Sequence, residues 1–192
     1  MIFGFLNRNK HLESSEIDSI IKYKTYPLFK KQSPVVYRDS QLYFLGDQTI
    51  TANISISKKH ERYVVIAWAR IDNKVDLAKR LSENEATISA CSSSEIILKT
   101  YLKYGKECVK HLNGDWSFVL WDTQKKELFL ARDHIGYSTL YYYSDSRYFI
   151  FSSHLKTLLA HPKVPKTLNP NAILQLGFGF KRDGQSFYKN IY

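Results

Sequence analysis

The stretch LNGDWSFVLWDTQKKELFLA, residues 112–131, decides the fold. Its segment Trp116–Trp121 is apolar at nearly every position, which is typical of a strand that is covered on both faces. The polar segment Thr123–Lys126 favours a turn, and Glu127–Ala131 is again rich in apolar side chains. We therefore predict a hairpin inside a covered sheet.

More strands flank this hairpin. β-branched and aromatic residues with partial alternation predict three strands upstream and a second hairpin downstream. The upstream segments are Val35–Leu45, Thr49–Ser57 and Arg62–Ala69, and the downstream hairpin pairs Thr139–Tyr143 with Tyr148–Ser152.

Helix signals lie between these groups of strands. The clearest is the capping box Ser92–Glu95, which opens a helix that Gly105 ends. Apolar periodicity and capping residues predict further helices at Ser14–Tyr23, from Asp72 or Asn73 to Leu81, at His154–Ala160 and from Asn169 to Gly177. Antiparallel strand groups with helices gathered between them imply an α+β layered architecture rather than a doubly wound sheet.

The bulk composition limits the classes of protein. With 192 residues, 44% of them hydrophobic, the chain is long enough for one sizeable core, and we predict a single domain over residues 1–192. The longest apolar run, Val64–Ala69, is far shorter than the ~20 residues of a membrane span, so we expect a cytoplasmic protein without a membrane partner. Cys91 and Cys108 form no CxxC pair, and we predict no metal site and no cofactor.

The net charge of +10 admits an acidic partner such as a nucleic acid. However, the basic residues are scattered in pairs such as Lys30-Lys31, Lys58-Lys59 and Lys125-Lys126, without a long run or an aromatic-basic motif. We therefore predict no nucleic-acid partner, and a basic nucleic-acid-binding module stays an alternative.

Several motifs, in order, carry a resemblance to one family. They are ARIDNKVDLAKRL (69–81), SEIILKTYLKYGKECVKHLNGD (94–115), LNGDWSFVLWD (112–122), ELFLARDHIGYSTLYYY (127–143) and FSSHLKTLLAHPKVPKTLNP (151–170). They resemble the glutamine-hydrolysing (class II amidotransferase) domain of the asparagine synthetase family. The resemblance spans residues 62–192 and is looser in the first sixty. It implies the Ntn-hydrolase fold, a four-layer sandwich of two stacked antiparallel sheets flanked by helices.

The resemblance also implies a nucleophile that this chain lacks. Active members begin Met-Cys-Gly-Ile, and the α-amino group of the cysteine, which titrates near ~8, is the base for its own thiol. If Gly4–Asn7 matches the family's Gly-Ile-Phe-Asn, the cysteine position falls before Met1. Because neither Met1 nor Ile2 can attack an amide, we expect no catalytic residue.

Two other positions depart from the family. Its Asn-Gly-Glu-Ile-Tyr-Asn motif is Trp68–Asn73 here, so Trp68 replaces the asparagine whose side chain helps to form the oxyanion hole. Ser93 replaces the aspartate that binds the ammonium of glutamine. We expect the Trp68 indole to fill the space of the substrate amide, and the alternative is an indole turned outward at a strand end.

These departures resemble those of β-lactam synthetases and lasso-peptide cyclases, which look like asparagine synthetase with an inactive amidotransferase half. Such proteins often carry Arg-Leu-Asp-Asn-Arg, and Arg70–Lys74 is similar. In them an ATP-using half adenylates a carboxylate, but this chain has no Ser-Gly-Gly-x-Asp-Ser pyrophosphate loop. We therefore expect an inactive scaffold whose partner is an ATP-dependent synthetase domain or separate chain, toward which a predicted strand, Ser186–Tyr192, would run. Whether the chain forms a homo-oligomer is left open by the sequence.

A second interpretation rests on Arg132, Asp133 and Gly136 at the end of the hairpin. Charged residues beside a loop can form a catalytic site, which would suit an active glutamine amidotransferase or amidohydrolase. We favour a structural role, in which Arg132 and Asp133 pair with the backbone or with each other and Gly136 permits a turn that few residues accept. The family's usual Lys-Pro after that glycine is Ser138-Thr139 here.

Overall fold

The computed structural model describes residues 2–9, 35–46, 54–59, 62–179, 184 and 186–192. Within these ranges the strands are β1 (Ile2–Asn7), β2 (Val35–Arg38), β3 (Leu42–Gly46), β4 (Ile54–Lys59), β5 (Tyr63–Ile71), β6 (Gly114–Asp122), β7 (Glu127–Arg132), β8 (Tyr141–Ser144) and β9 (Tyr148–Ser152). The helices are α1 (Lys74–Leu81), α2 (Glu85–Ala90), α3 (Ser93–Tyr104), α4 (Leu155–Ala160) and α5 (Pro170–Gly177), and a 3₁₀ segment spans Gly105–His111. In this part of the chain no helix has the length and apolar character to cross a bilayer.

The strands form two sheets, one with the order β2-β3-β1-β9-β8 and one with the order β4-β5-β6-β7. The pairs β1–β9, β8–β9, β4–β5, β5–β6 and β6–β7 are antiparallel. We call the described part of residues 46–140, with Ile2 and Val35, the four-stranded unit, and the described part of 3–9, 36–45 and 141–192 the five-stranded unit. The prediction of an α+β fold with antiparallel sheets is confirmed. The single domain over residues 1–192 stays a prediction.

The core of the four-stranded unit is built on the predicted hairpin. β6 is buried from Trp116 to Asp122, as its apolar run predicts. It pairs along its whole length with β5, and from Ser117 to Asp122 it also pairs with β7. One face of the sheet contributes alternate residues to a core shared with the helices, namely Val65, Ala67, Ala69 and Ile71 of β5 and Trp116, Phe118 and Leu120 of β6.

Helix α3 begins and ends as predicted. The Ser92 hydroxyl accepts a hydrogen bond from the Glu95 N–H, and the Glu95 carboxylate accepts the Ser92 N–H at 2.7 Å. Gly105 follows the last turn with φ at +58°. Because both ends are fixed by short-range hydrogen bonds and backbone conformation, the local sequence was sufficient to locate this helix.

The five-stranded unit has β1 in the middle of its sheet. β1 pairs with β9 from Phe3↔Ser152 to Asn7↔Tyr148. The Phe151 ring lies directly over Gly4, where an added Cβ would come within 2.0 Å of a ring carbon. Glycine at this position is therefore what allows the ring to cover the strand.

His161 is the unusual member of this unit's interior. It is 3% exposed, and its ring stacks on Phe5 at a centroid distance of 5.0 Å. Its Nδ1 accepts the Lys163 N–H at 3.2 Å, while its Nε2 has no hydrogen-bond partner among the described residues. Burial, with a smaller contribution from the charge of Lys163, lowers the pKa of His161 to about 4. The imidazole is therefore neutral at neutral pH.

Several elements differ from the sequence predictions. The predicted strand Val35–Leu45 is interrupted, because the Asp39 carboxylate accepts the N–H groups of Gln41 at 2.7 Å and Leu42 at 2.8 Å and so forms a turn between β2 and β3. β1 and α2 were not predicted. The predicted helix Ser14–Tyr23 lies outside the described residues.

The predicted strand Ser186–Tyr192 is wrong. The strand pairing of this segment is limited to the isolated bridges Leu168↔Tyr188 and Tyr143↔Ile191. Between the two bridges Asn190 adopts φ +61°, a turn conformation that ends regular pairing.

Candidate functional site

Trp68 lies in a row of residues that crosses the four-stranded sheet. It pairs in register with Ser117 of β6, and Ser117 pairs with Arg132 of β7. Directly opposed residues in neighbouring antiparallel strands project from the same face, so an indole, a hydroxyl and a guanidinium lie side by side. The Ser117 hydroxyl is buried and has no hydrogen-bond partner among the residues that the structure describes.

The Trp68 indole is half-buried and stacks on the ring of Tyr137. The ring centroids are 6.2 Å apart, and the ring planes are inclined by 28°. Tyr137 itself is 69% exposed, so it covers the indole from the solvent side. The indole is therefore neither turned freely outward nor completely enclosed, and its occupation of the substrate space stays a prediction.

The loop that carries Tyr137 is fixed by Asp133. The carboxylate accepts the N–H groups of Gly136 at 2.6 Å, Tyr137 at 3.0 Å and Ser138 at 3.0 Å. The Asp133 N–H in turn donates to the Trp116 carbonyl at 2.8 Å. Burial would raise the pKa of Asp133, but the hydrogen bonds from the backbone outweigh burial and lower it. Asp133 therefore has the structural role that we favoured.

Gly136 adopts φ +74°, as expected for a residue that permits the turn. Ser138, which occupies one of the altered loop positions, is 5% exposed, and its hydroxyl has no partner among the described residues. Within this stretch, two buried hydroxyls, those of Ser117 and Ser138, are thus left without a hydrogen bond.

Ser93 is committed to the backbone of β5. Its hydroxyl donates to the Ala69 carbonyl at 2.9 Å. Ala69 directly follows Trp68, so the two altered family positions meet at one point of the structure, where the first turn of α3 reaches the strand. The Ser93 hydroxyl, which carries no charge, thus links the start of α3 to β5 by a hydrogen bond.

The segment after Trp68 is held by ion pairs and by hydrogen bonds from the Asn73 side chain to backbone groups. Arg70 forms salt bridges with Asp115 at 2.9 Å and with Asp72 at 3.2 Å. The Asn73 side chain donates to the His111 carbonyl at 2.9 Å and accepts the Asn113 N–H at 3.0 Å. The charged and amide residues of this segment are therefore engaged in joining β5 to the start of β6.

The wider four-stranded unit adds no metal site. Among the described residues no group of three or more His, Cys, Asp and Glu side chains is placed to hold a metal ion. Cys108 is buried, and burial raises the pKa of its thiol to about 12. A cavity of about 290 Å³ lies at the other end of β7 from Arg132, with Tyr101, Lys106 and Glu127 in its wall.

Sequence reasoning located Trp68 and Ser93 but missed Ser117 and Tyr137. Ser117 could have been noticed as a polar residue inside the apolar run Trp116–Trp121. Tyr137 has no comparable signal, because its role depends on a contact made across the fold.

Comparisons with known proteins give consistent results. Residues 42–192 match the family described as glutamine amidotransferase domain. The chain is 31% identical over 135 residues to asparagine synthetase [glutamine-hydrolyzing] 3 of Bacillus subtilis, covering 69% of this chain and 22% of that protein. It is 36% identical over 132 residues to the putative asparagine synthetase [glutamine-hydrolyzing] 2 of Methanocaldococcus jannaschii, covering 67% of this chain and 25% of that protein.

The structure is similar to glutamine phosphoribosylpyrophosphate amidotransferase from B. subtilis. The TM-score is 0.52 at 13% sequence identity, and the likeness covers 83% of this chain and 43% of that one. At this identity the likeness shows the fold alone, which is that of the Ntn-hydrolases. The chain spans about a quarter or less of the length of the two asparagine synthetases named above.

Proposed function

Because the chain belongs to the glutamine amidotransferase domain family, in the form found in asparagine synthetase-like proteins, we propose that it is a noncatalytic member that serves as a scaffold for an ATP-dependent amide-forming partner. The observation that carries this proposal is the half-buried Trp68 indole, stacked on Tyr137 at the position that resembles the oxyanion asparagine.

The residue at position 68 is poorly suited to stabilise negative charge. An oxyanion hole needs hydrogen-bond donors that are aimed in advance at the developing charge, and removal of one donor typically costs ~2.7–4 kcal/mol. Trp68 has a ring N–H in place of a carboxamide, and its ring plane is set by the stack on Tyr137. An indole held in this way is a poor substitute for the amide.

The position that would bind the charged ammonium of the substrate is also altered. The ammonium of glutamine needs a carboxylate, and the matching position is Ser93, whose neutral hydroxyl already donates to Ala69. Asp133 supplies no replacement, because its carboxylate is occupied by three backbone N–H groups of its own loop. The Asp133 carboxylate, in the loop that carries Tyr137, therefore does not restore the negative charge that Ser93 lacks.

The partner is inferred from the length of the relatives. The asparagine synthetases named above are about four times as long as the segment that they share with this chain, so most of each protein is a different region. We propose that an equivalent synthetase region, or a separate chain of that kind, carries the ATP-dependent step. The sequence of Arg70–Lys74, which is similar to the Arg-Leu-Asp-Asn-Arg of β-lactam synthetases and lasso-peptide cyclases, supports a partner of that type.

Glutamine hydrolysis provides the direct test. We expect the purified chain to release no ammonia or glutamate above a buffer control, with the B. subtilis asparagine synthetase as the positive control. Ile2→Cys alone is expected to stay inactive, because Trp68 and Ser93 are unchanged. Saturable hydrolysis that alkylation abolishes would contradict the proposal and favour an active amidotransferase.

A further inference from the structure

Helix α5 exposes large apolar side chains to solvent. Ile173 is 44% exposed, Leu174 is 59% exposed and Leu176 is 56% exposed, while Phe178, which follows the helix, is 77% exposed. No residue of the helix is buried. An eight-residue helix is too short to be stable by itself in water, so α5 needs packing that this unit does not provide.

The large apolar side chains of the helix lie on its exposed side. Its half-buried positions are Ala172 and Gln175, a small residue and a polar one. A surface helix normally buries its large apolar residues and exposes its polar ones. The reversed arrangement indicates that the exposed face is itself an interface.

The apolar surface continues beyond the helix. The bridge between Leu168 and Tyr188, with the Asn169 N–H donating to the Phe187 carbonyl at 2.8 Å, brings the segment around Phe187 beside the start of α5. Leu168 is 51% exposed and Phe187 is 44% exposed. We call the set Leu168, Ile173, Leu174, Leu176, Phe178 and Phe187 the α5 surface.

The sequence segment that carries the α5 surface is basic, and this charge restricts what can cover the surface. Residues 149–192 contain six Lys or Arg and one Asp, so this segment carries about half of the chain's net charge of +10. In a symmetric dimer through the α5 surface the same patch would face itself, and the two basic segments would repel each other. An apolar face with acidic residues around it fits better.

We propose that the α5 surface is the docking site of the ATP-dependent synthetase partner, and that this partner presents an apolar centre with an acidic rim. The inference rests on the proposed function, because the partner is the synthetase region or chain named there. Leu174 and Phe178 insert into the apolar centre, while basic residues such as Lys166 and Lys189 face the acidic rim.

Binding measurements with single variants test this site. The full chain is titrated calorimetrically with the synthetase-type polypeptide encoded in the same genome, produced separately. The variants are Leu174→Asp and Phe178→Asp, with Val75→Asp as the matched control. Val75 is 51% exposed in the first turn of α1, where an acidic residue suits the helix, and it belongs to the four-stranded unit. Circular dichroism confirms that each variant is folded.

The expected result is binding by the wild-type chain, an increase in Kd of at least about 30-fold for each α5 variant, and a change of less than about 2-fold for Val75→Asp. Lys166→Glu should weaken binding mainly at low salt, because rim charges are screened. If the partner binds Leu174→Asp as tightly as it binds the wild-type chain, the docking site is wrong while the proposed function stands.

Other outcomes separate the two proposals. Absence of binding to the wild-type chain would overturn both the docking site and the scaffold role. A chain that sediments as a dimer and becomes monomeric in Leu174→Asp would assign the α5 surface to a second copy and overturn the proposal. Glutaminase activity together with loss of partner binding in the α5 variants would overturn the inactivity and leave the docking site intact.

Discussion

Truncation of Trp68 to alanine should lower the stability of the protein substantially. Burial of a tryptophan removes ~150–250 Å² from water, and truncation of a fully buried one costs ~3–5 kcal/mol. Because the Trp68 indole keeps part of its surface in solvent, we expect a loss of about 2–3 kcal/mol in the free energy of unfolding. Trp116→Ala, at a position that is 1% exposed, provides the upper reference.

The stack on Tyr137 accounts for a definite part of this loss. Tyr137→Ala by itself should cost little more than the stack, because that ring is 69% exposed. In a double-mutant cycle the Trp68 and Tyr137 substitutions should show a coupling of about 0.5–1.5 kcal/mol, the usual contribution of an aromatic pair beyond area burial. Urea unfolding followed by circular dichroism provides the four free energies.

Two results would refute this reasoning. A loss below about 0.5 kcal/mol for Trp68→Ala would mean that the indole is a surface side chain, since surface substitutions usually fall within that range. A coupling of zero would mean that the contact with Tyr137 does not hold the ring. Neither result would restore an amide group at this position, so the prediction of no glutamine hydrolysis is tested separately.

Three further predictions follow from buried groups and from close backbone contacts. The pKa of His161 in the folded state, about 4, lies below the ordinary value of 6.5, so His161 binds fewer protons in the folded than in the unfolded state. The free energy of unfolding should therefore fall by up to about 3 kcal/mol as pH drops from 6.5 toward 4. His161→Phe should remove this pH dependence, as measured by urea titrations at a series of acid pH values. Asp133→Ala leaves three backbone N–H groups without their acceptor and should cost about 3 kcal/mol in urea unfolding. Gly114 has φ +125°, and Gly114→Ala places a Cβ within 2.0 Å of the Arg70 carbonyl oxygen, so this variant should not accumulate as folded protein. Gly177→Ala is the control, because the space around Gly177 is open and the substitution should be tolerated. The yield of folded protein measures both.

Each of these has an opposing outcome. An acid dependence that persists unchanged in His161→Phe would assign it to other groups. A Asp133→Ala variant as stable as the wild-type chain would show that water or other acceptors replace the carboxylate. Normal yield and stability of Gly114→Ala would mean that the turn between the 3₁₀ segment and β6 adapts more readily than the contact with Arg70 suggests.

Sequence patterns were sufficient where the determinant is local. The Ser92–Glu95 capping box, Gly105 and the long apolar run Trp116–Trp121 each fix an element through neighbours within a few residues. Sequence patterns failed where a side chain changes the direction of the backbone. Asp39 binds the two N–H groups that would otherwise continue a strand, and nothing in the β-branched pattern of Val35–Leu45 indicates this.

In the candidate site, too, the sequence located positions along the chain but not the contacts that they make across the fold. The family resemblance located Trp68 and Ser93 from aligned motifs, because these positions are defined along the chain. The partner of the indole, Tyr137, and the acceptor for the Ser93 hydroxyl, the Ala69 carbonyl, are separated from them by 69 and 24 residues in the sequence. Such contacts depend on the completed fold, so periodicity and capping rules do not reveal them.

The strand order of the five-stranded sheet has a consequence for synthesis on the ribosome. β1 is translated before the other described strands, yet its partner β9 begins at Tyr148. At ~5–20 residues per second, β1 waits roughly seven to thirty seconds before this neighbour exists. β5, β6 and β7, by contrast, are contiguous between Tyr63 and Arg132 and can pair while the remainder is still being made. Until β9 emerges, the apolar strand Ile2–Asn7 has an open edge, and the nascent chain depends on chaperones or on rapid completion to keep that edge from pairing with another molecule.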